Sequence, residues 1–222
     1  MVIKFREVLA ATEKLEPAAM REYQQNLLRP LLAHARRNVP FYENRLDKVF
    51  RGNEVDFSRW HDIPILTRAD AQLHFEALKA RKLPPQMGPV SGGETSGSTG
   101  RPVRYLKNRL ASIAELAMTD RLYRWWGMDG NKTLGMLVSK RVKADPGMMF
   151  GAWRSGFTDG KQVRFNEWSD PHELVKWLLQ NNVAYLCADA GMQKGISPAM
   201  IDIGVLAHLD LMISRGSKLS AE

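Results

Sequence analysis

Residues 95–102 read TSGSTGRP, a run of small hydroxyl residues and glycines that ends in arginine and proline. Glycine lets the backbone turn tightly, so that several N–H groups can converge on one anion. Four side-chain hydroxyls add hydrogen-bond donors: those of Thr95, Ser96, Ser98 and Thr99. Arg101 adds a positive charge, and the whole set suits a polyphosphate. A plain turn or a linker has the same composition and is the more common meaning of such a stretch, so both interpretations stay open here.

Other familiar nucleotide and nucleophile patterns are absent from the sequence. The glycine-rich stretch supplies no G-x-x-x-x-G-K-S/T, and neither G-x-G-x-x-G nor G-x-S-x-G occurs. The five histidines lack metal-ligand spacing such as H-E-x-x-H. No catalytic residue and no protein-borne metal site is therefore predicted from spacing.

The first third of the chain has the pattern of helices. Pro17 suits a first helical position, and one apolar face follows it, formed by Met20, Tyr23, Leu27, Leu31 and Ala35. We expect Pro30 to kink or divide this helix, which ends near Pro40. A second helix is predicted from Thr67, with Asp70 in capping-box position, up to the proline-rich stretch 83–89.

Beyond the loop, short apolar runs alternate with helical patterns. Strands are predicted at VRYL, at TLGMLVS (133–139) and at NVAYLCA. Helices are predicted after Asn108 and after Asp170, the second with Pro171 at its first position, and a last helix from Ser197 and Pro198. The alternation indicates an α/β sheet, with a helical N-terminal section (1–90) before an α/β subdomain (91–222).

Composition narrows the class of partner. With 32 basic and 24 acidic residues the net charge is +8, which indicates an anionic partner. The basic residues are scattered and accompany no zinc-finger or RNA-recognition signature, so nucleic acid is disfavoured. The single cysteine, Cys187, lies in the apolar run VAYLCA and is expected to be a buried structural thiol. No signal peptide or membrane span is predicted, and a cytoplasmic location is the expectation.

The order of residues in the loop resembles the phosphate-loop signature of AMP-forming, acyl-adenylating ligases, S/T-S/T-G-S/T-T-G-x-P. All eight positions from Thr95 to Pro102 fit. Val103 stands where many relatives carry lysine, as an apolar residue does in the phenylacetate–CoA ligase branch. Two earlier segments resemble the same branch: LLAHARRNVPFYENRL and WHDIPILTRADAQLHFEAL. The likeness is close over residues 28–106, looser over 107–186 and nearly absent beyond 187.

This resemblance implies the mixed α/β sheet domain of the acyl-adenylating fold, preceded by a helical section. It implies that Thr95, Ser96, Gly97, Ser98, Thr99 and Gly100 wrap the β- and γ-phosphates of ATP, with Arg101 in support. The family joins a carboxylic acid to AMP, releases pyrophosphate and passes the acyl group to coenzyme A. ATP, Mg²⁺, coenzyme A and a small carboxylic acid are thus the implied cofactors and partners.

Later motifs of that family are missing from these 222 residues. There is no aromatic-Gly-x-Thr-Glu, no Thr-Gly-Asp and no C-terminal domain with a catalytic lysine. The expectation is part of an acid–CoA ligase, inactive alone, which is a fragment, a truncated product or a repurposed half-fold. Missing parts would expose apolar surface and favour self-association or a partner domain. The alternative is a non-catalytic nucleotide- or anion-binding module of the same fold.

Overall fold

The computed structural model of the chain describes residues 2–95, 101–138, 149–154, 156–166 and 169–215. It contains two compact units, Met1–Arg121 and Leu122–Glu222. Helices and sheets occur together, and the predicted mixed α/β fold class is confirmed. The functional division into residues 1–90 and 91–222 stays a prediction.

Helices and short antiparallel strands form the first unit. Its elements are α1 (Val2–Thr12), α2 (Pro17–Asn38), β1 (Phe50–Arg51), β2 (Glu54–Val55), α3 (Arg68–Leu73), β3 (Val90–Glu94), β4 (Arg104–Asn108) and α4 (Arg109–Trp125), which runs on past the boundary. Four 3-10 helices connect them: Pro40–Tyr42, Asp47–Val49, Phe57–Asp62 and Pro85–Met87. The β1–β2 and β3–β4 pairs are separate two-stranded antiparallel sheets.

Helix α2 begins at Pro17 and ends at Asn38, as predicted, but it is not divided at Pro30. Leu32 is buried against Leu46, Val49, Phe50 and Val55, and this packing follows Pro30 directly. Burying these side chains offsets the backbone hydrogen bond that proline removes. One continuous helix is the result.

Helix α3 begins where predicted and ends earlier than predicted. Thr67 caps it together with Asp70 in a capping box, yet its last residue is Leu73 rather than a residue near 82. The chain beyond is held by backbone hydrogen bonds to another segment: the Phe41 amide donates to the Ala77 carbonyl at 2.9 Å. The Arg81 amide likewise donates to the Asn38 carbonyl at 2.7 Å. These tertiary bonds replace the helical ones that the sequence pattern suggested.

The second unit is built on a five-stranded sheet in the order β6-β7-β5-β8-β9. Its elements are β5 (Thr133–Val138), β6 (Met149–Ala152), β7 (Lys161–Asn166), α5 (Pro171–Gln180), β8 (Val183–Asp189), α6 (Ala190–Asp202) and β9 (Leu211–Arg215). Among the described strands of this sheet, β6 pairs antiparallel with β7, and the other pairs are parallel. The two central strands, β5 and β8, carry the predicted apolar runs and their leucines are buried.

Both helices of the second unit have aspartate caps. Asp170 accepts a hydrogen bond from the His172 amide and Pro171 follows it, as the sequence predicts. The prediction that α6 opens at Ser197 and Pro198 is wrong, because the helix begins at Ala190 and continues through Pro198. Asp189 supplies its cap through the Gly191 amide, at 2.9 Å. Buried Ile196 and Ala199 hold the helix against the sheet on either side of that proline.

Candidate phosphate-binding hairpin

A β-hairpin carries the loop that the sequence analysis singled out. Strands β3 and β4 pair antiparallel from Val90 opposite Asn108 to Glu94 opposite Arg104. One further pair closes the base of the loop. The Thr95 amide donates to the Val103 carbonyl at 3.0 Å, and the Val103 amide donates to Thr95 Oγ1 at 2.9 Å. Because Oγ1 is the acceptor in the second bond, the hydroxyl proton of Thr95 remains available as a donor.

The predicted site residues divide into two groups. Ser96, Gly97, Ser98, Thr99 and Gly100 lie outside the described residues. Thr95 and Arg101 are described, and they flank that segment on its two sides. Arg101 is exposed, so its guanidinium is open to an anion from solvent.

Two residues that the sequence analysis did not select hold the second end of the loop. The Arg101 carbonyl accepts a hydrogen bond from Arg68 Nη2 at 3.0 Å and another from Gln72 Nε2 at 2.7 Å. Arg68 and Gln72 are four positions apart on α3 and therefore share one helix face. The available signal was their place in ILTRADAQ, one of the segments that resemble the ligase family.

Helix α3 is itself fixed at its first turn. The Thr67 amide donates to Asp70 Oδ2 at 3.0 Å, and the Asp70 amide donates to Thr67 Oγ1 at 3.1 Å. The bond from the Thr67 amide, followed by the bond from its hydroxyl, lowers the pKa of the Asp70 carboxyl, and the charge of Arg45 adds to this effect. Asp70 is therefore ionised near neutral pH and keeps the helix start in place.

Arg45 joins this helix to the turn that follows α2. Its Nη2 donates to the Ile65 carbonyl at 3.2 Å and lies 3.9 Å from Asp70 Oδ2. Its guanidinium carbon lies 4.4 Å from the ring centre of Phe41, in the NVPFY turn. The NVPFY turn, the ILTRAD helix and the loop that begins at Thr95 are thus connected by direct contacts within the first unit.

A pocket of about 310 Å³ lies beside the hairpin. It is lined by Phe75, Gly92, Gly93, Glu94, Arg104, Tyr105 and Leu106. The Arg104 guanidinium lies 4.1 Å from the ring centre of Phe75, and Lys79 Nζ lies 4.7 Å from the same ring. Two cations therefore flank one aromatic ring close to the base of the loop.

The described parts of the chain were also compared with the requirements of a metal site, a reactive cysteine and a membrane-spanning helix. Nowhere in those parts do three or more histidine, cysteine, aspartate or glutamate side chains meet in a way that would hold a metal ion. Cys187 is buried, as expected, and burial raises the pKa of its thiol, so it is a poor nucleophile at neutral pH. Among the described helices, none has both the length and the apolar character that crossing a membrane requires.

Comparison with solved structures shows which fold the chain has. Neither the protein-family models nor the curated protein sequences give a significant match. Solved structures do: a crystal structure of 2-hydroxyisobutyryl-CoA ligase in an open conformation, with 2-HIB-AMP and CoA, superposes with a TM-score of 0.67 at 14% identity. That match covers 92% of this chain and 49% of the ligase.

A second structure of that ligase, in complex with 2-HIB-AMP and CoA in the thioesterification state, gives a TM-score of 0.59 at 15% identity. It covers 86% of this chain and 41% of the ligase. The chain thus spans about half the length of the ligase structures it matches. At these identities the likeness establishes the architecture alone: the chain has the fold of part of 2-hydroxyisobutyryl-CoA ligase.

Proposed function

We propose that this chain is the phosphate-binding part of an AMP-forming carboxylate–CoA ligase of the phenylacetate–CoA ligase-like branch. The observation that carries the proposal is the hairpin, whose loop has the family's residue order and whose two ends are both held in place. The fold likeness to an acyl-CoA ligase supports the same assignment independently of the loop's residue order.

The residues flanking the loop fit a triphosphate chemically. Thr95 keeps a hydroxyl donor and Arg101 an exposed cation, and the chain as a whole carries a net charge of +8. In the proposal, Thr95, Ser96, Gly97, Ser98, Thr99 and Gly100 donate hydrogen bonds to the β- and γ-phosphates, and Arg101 offsets their charge. ATP, when bound, supplies the phosphorus centre to which a carboxylate is joined.

The ligase structures bind an acid linked to AMP, together with CoA. We carry these over as proposed ligands: ATP, a small carboxylic acid and coenzyme A. Any Mg²⁺ would arrive with the nucleotide, because the described residues offer no carboxylate cluster of their own for it. The groups that hold adenine, ribose and the reacting carboxylate have no counterpart among the motifs of this sequence, so we propose binding rather than turnover for the chain alone.

The second candidate is a non-catalytic nucleotide- or anion-binding module. It is favoured by the described geometry, a loop with two held ends and an exposed Arg101, which requires only the binding of an anion. The two candidates agree on the loop and differ in whether any assembly containing this chain transfers an acyl group. Carboxylate-dependent pyrophosphate release, measured on a full-length protein that contains this chain, separates them.

Isothermal titration with ATP and Mg²⁺ tests the binding that both candidates require. We expect micromolar affinity in the unaltered chain and its loss in Gly97→Val with Thr99→Ala, since the bulky side chain blocks the turn and the second change removes a donor. A matched control makes the same two kinds of change elsewhere: Gly151→Val with Thr12→Ala. A Cβ at Gly151 meets no atom within 4 Å. Absence of heat with the folded, unaltered chain would reject phosphate binding.

A further inference from the structure

We propose that Arg68 and Gln72 are positioning residues that set the exit of the phosphate loop before any ligand binds. Each donates a hydrogen bond to the same atom, the Arg101 carbonyl oxygen, at 3.0 and 2.7 Å. A carbonyl oxygen has two lone pairs, so these two donors satisfy it fully. The proposal rests on the phosphate-binding function above for its ligand, and on described residues alone for its geometry.

The two donors are well suited to hold a backbone atom in place. The guanidinium of Arg68 is charged, and hydrogen bonds from charged donors are stronger than neutral ones. Gln72 Nε2 makes the shorter of the two bonds, at 2.7 Å, and its amide is a fixed planar donor. Both contacts are tertiary, because Arg68 and Gln72 lie 33 and 29 residues before Arg101 in the sequence.

Helix α3 can serve as an anchor because other contacts fix it independently of the hairpin. Its capping box holds the first turn, and Arg45 pairs with Asp70 and with the Ile65 carbonyl. The residue that follows the helix, His74, packs its ring 5.4 Å from the ring of Phe41. A helix of six residues would not be stable alone, and these contacts replace the missing length.

Both ends of the loop are therefore set by different means. Thr95 is fixed by its hydrogen bonds with Val103, and Arg101 is fixed by α3. Because the backbone at Arg101 is held in advance, less conformational freedom is lost there when an anion binds, so the anion binds more tightly. Arg101 also projects its charge from a backbone position that Arg68 and Gln72 define.

The test compares Arg68→Ala and Gln72→Met, each with the unaltered chain. Gln72→Met removes the donor with little change in size and none in charge. We expect each variant to speed amide hydrogen exchange at Thr95 and Val103, read by NMR, and to weaken ATP–Mg²⁺ binding about three- to tenfold, the size expected for one lost hydrogen bond. Arg68→Lys keeps a charged donor and should restore part of the affinity. The melting temperature should fall by no more than a few degrees, because each variant removes a hydrogen bond that the free chain already makes.

Arg59→Ala is the matched control for loss of charge. Arg59 pairs with Asp62 at 3.0 Å on an exposed surface of the same unit. Equal weakening of ATP binding by Arg59→Ala and Arg68→Ala would assign the effect to long-range charge and overturn the positioning role. Unaltered exchange and affinity in both test variants would also overturn it. Faster exchange in the variants, with no ATP binding even in the unaltered chain, would keep the positioning role and reject the phosphate-binding function.

Discussion

Arg6 Nε lies 2.8 Å from Asp120 Oδ2, and this ion pair ties α1 to α4. Asp120 is 7% exposed, whereas α1 buries none of its described residues. The attachment of the first helix therefore includes a charged contact whose carboxylate is largely withdrawn from water.

Replacing Arg6 with Met should lower the free energy of unfolding by about 1–3 kcal/mol, because a buried carboxylate loses a partner. Urea unfolding followed by circular dichroism measures the change. Arg59→Ala removes an exposed pair instead and should cost less than about 1 kcal/mol. Equal losses in the two variants would contradict the importance of the buried pair.

The stabilisation that protonated His172 gives to the second unit should be lost as the pH rises above neutrality. Its hydrogen bond with Asp170, followed by that with Asp202, raises the pKa of the imidazole above its usual 6.5. A raised pKa contributes stability that is fully present below the unfolded-state pKa and is lost as the pH rises through the folded-state pKa. Melting temperatures of the unaltered chain and of His172→Gln, compared from pH 5.5 to about 8.5, should therefore differ most at the acidic end.

The same comparison contains its own check. His172→Gln leaves the other four histidines in place, so their contributions cancel in the difference between the two melting curves. A difference that stays constant across the pH range would show that protonated His172 does not stabilise the folded chain.

Gly160 should not tolerate even a methyl group. A Cβ at this position would lie 1.9 Å from the Gly130 carbonyl oxygen and 2.9 Å from the Lys132 carbonyl oxygen. Backbone atoms cannot move aside as the end of a side chain can, so Gly160→Ala should destabilise by about 1–3 kcal/mol or more. Chemical denaturation measures the loss, and Gly151→Ala, where a Cβ meets nothing within 4 Å, serves as the control. Similar stability of both variants would contradict the close approach of these two loops.

The isolated chain should make no acyl-AMP above background. Adenylation requires the phosphates to be held, adenine and ribose to be positioned and a lysine to reach the carboxylate, and the sequence offers a match only for the first. Orientation contributes about 7–11 kcal/mol to such reactions, so its loss reduces the rate by many orders of magnitude. Pyrophosphate exchange with a panel of aliphatic and aromatic acids is the assay. Steady turnover proportional to chain concentration would prove this prediction wrong. The variant Gly97→Val with Thr99→Ala, in which phosphate binding is expected to be lost, gives the background rate.

Local chemistry explains which parts of the fold were predictable. The caps at Thr67 and Asp170 were read correctly because each cap is made by residues within a few positions of one another. The end of α3 at Leu73 and the start of α6 at Ala190 were not, since distant backbone groups and buried packing decide them. Strand β3, with the sequence VSGGE, shows no apolar alternation and is a strand because β4 pairs with it.

The same difference between local and long-range contacts applies to the candidate site. Residue order pointed to Thr95 and Arg101 because the loop signature is contiguous, and their binding role stays a prediction. The roles of Arg68 and Gln72 could not be predicted from the sequence, because a contact across 33 residues depends on how the helix and the hairpin pack. The ILTRADAQ segment marked the helix as significant without indicating which atoms it holds.

The strand order of the second unit has a consequence for synthesis on the ribosome. Strand β5 is made first, yet both of its neighbours come later in the chain, and Leu134 must wait for Gln162 on one side and Tyr185 on the other. Pairings between such distant segments form slowly, because the entropy cost of closing a long loop comes before any stabilising contact forms. The most apolar central strand therefore emerges without partners, and the nascent chain is most prone to aggregation in the interval before β8 is complete.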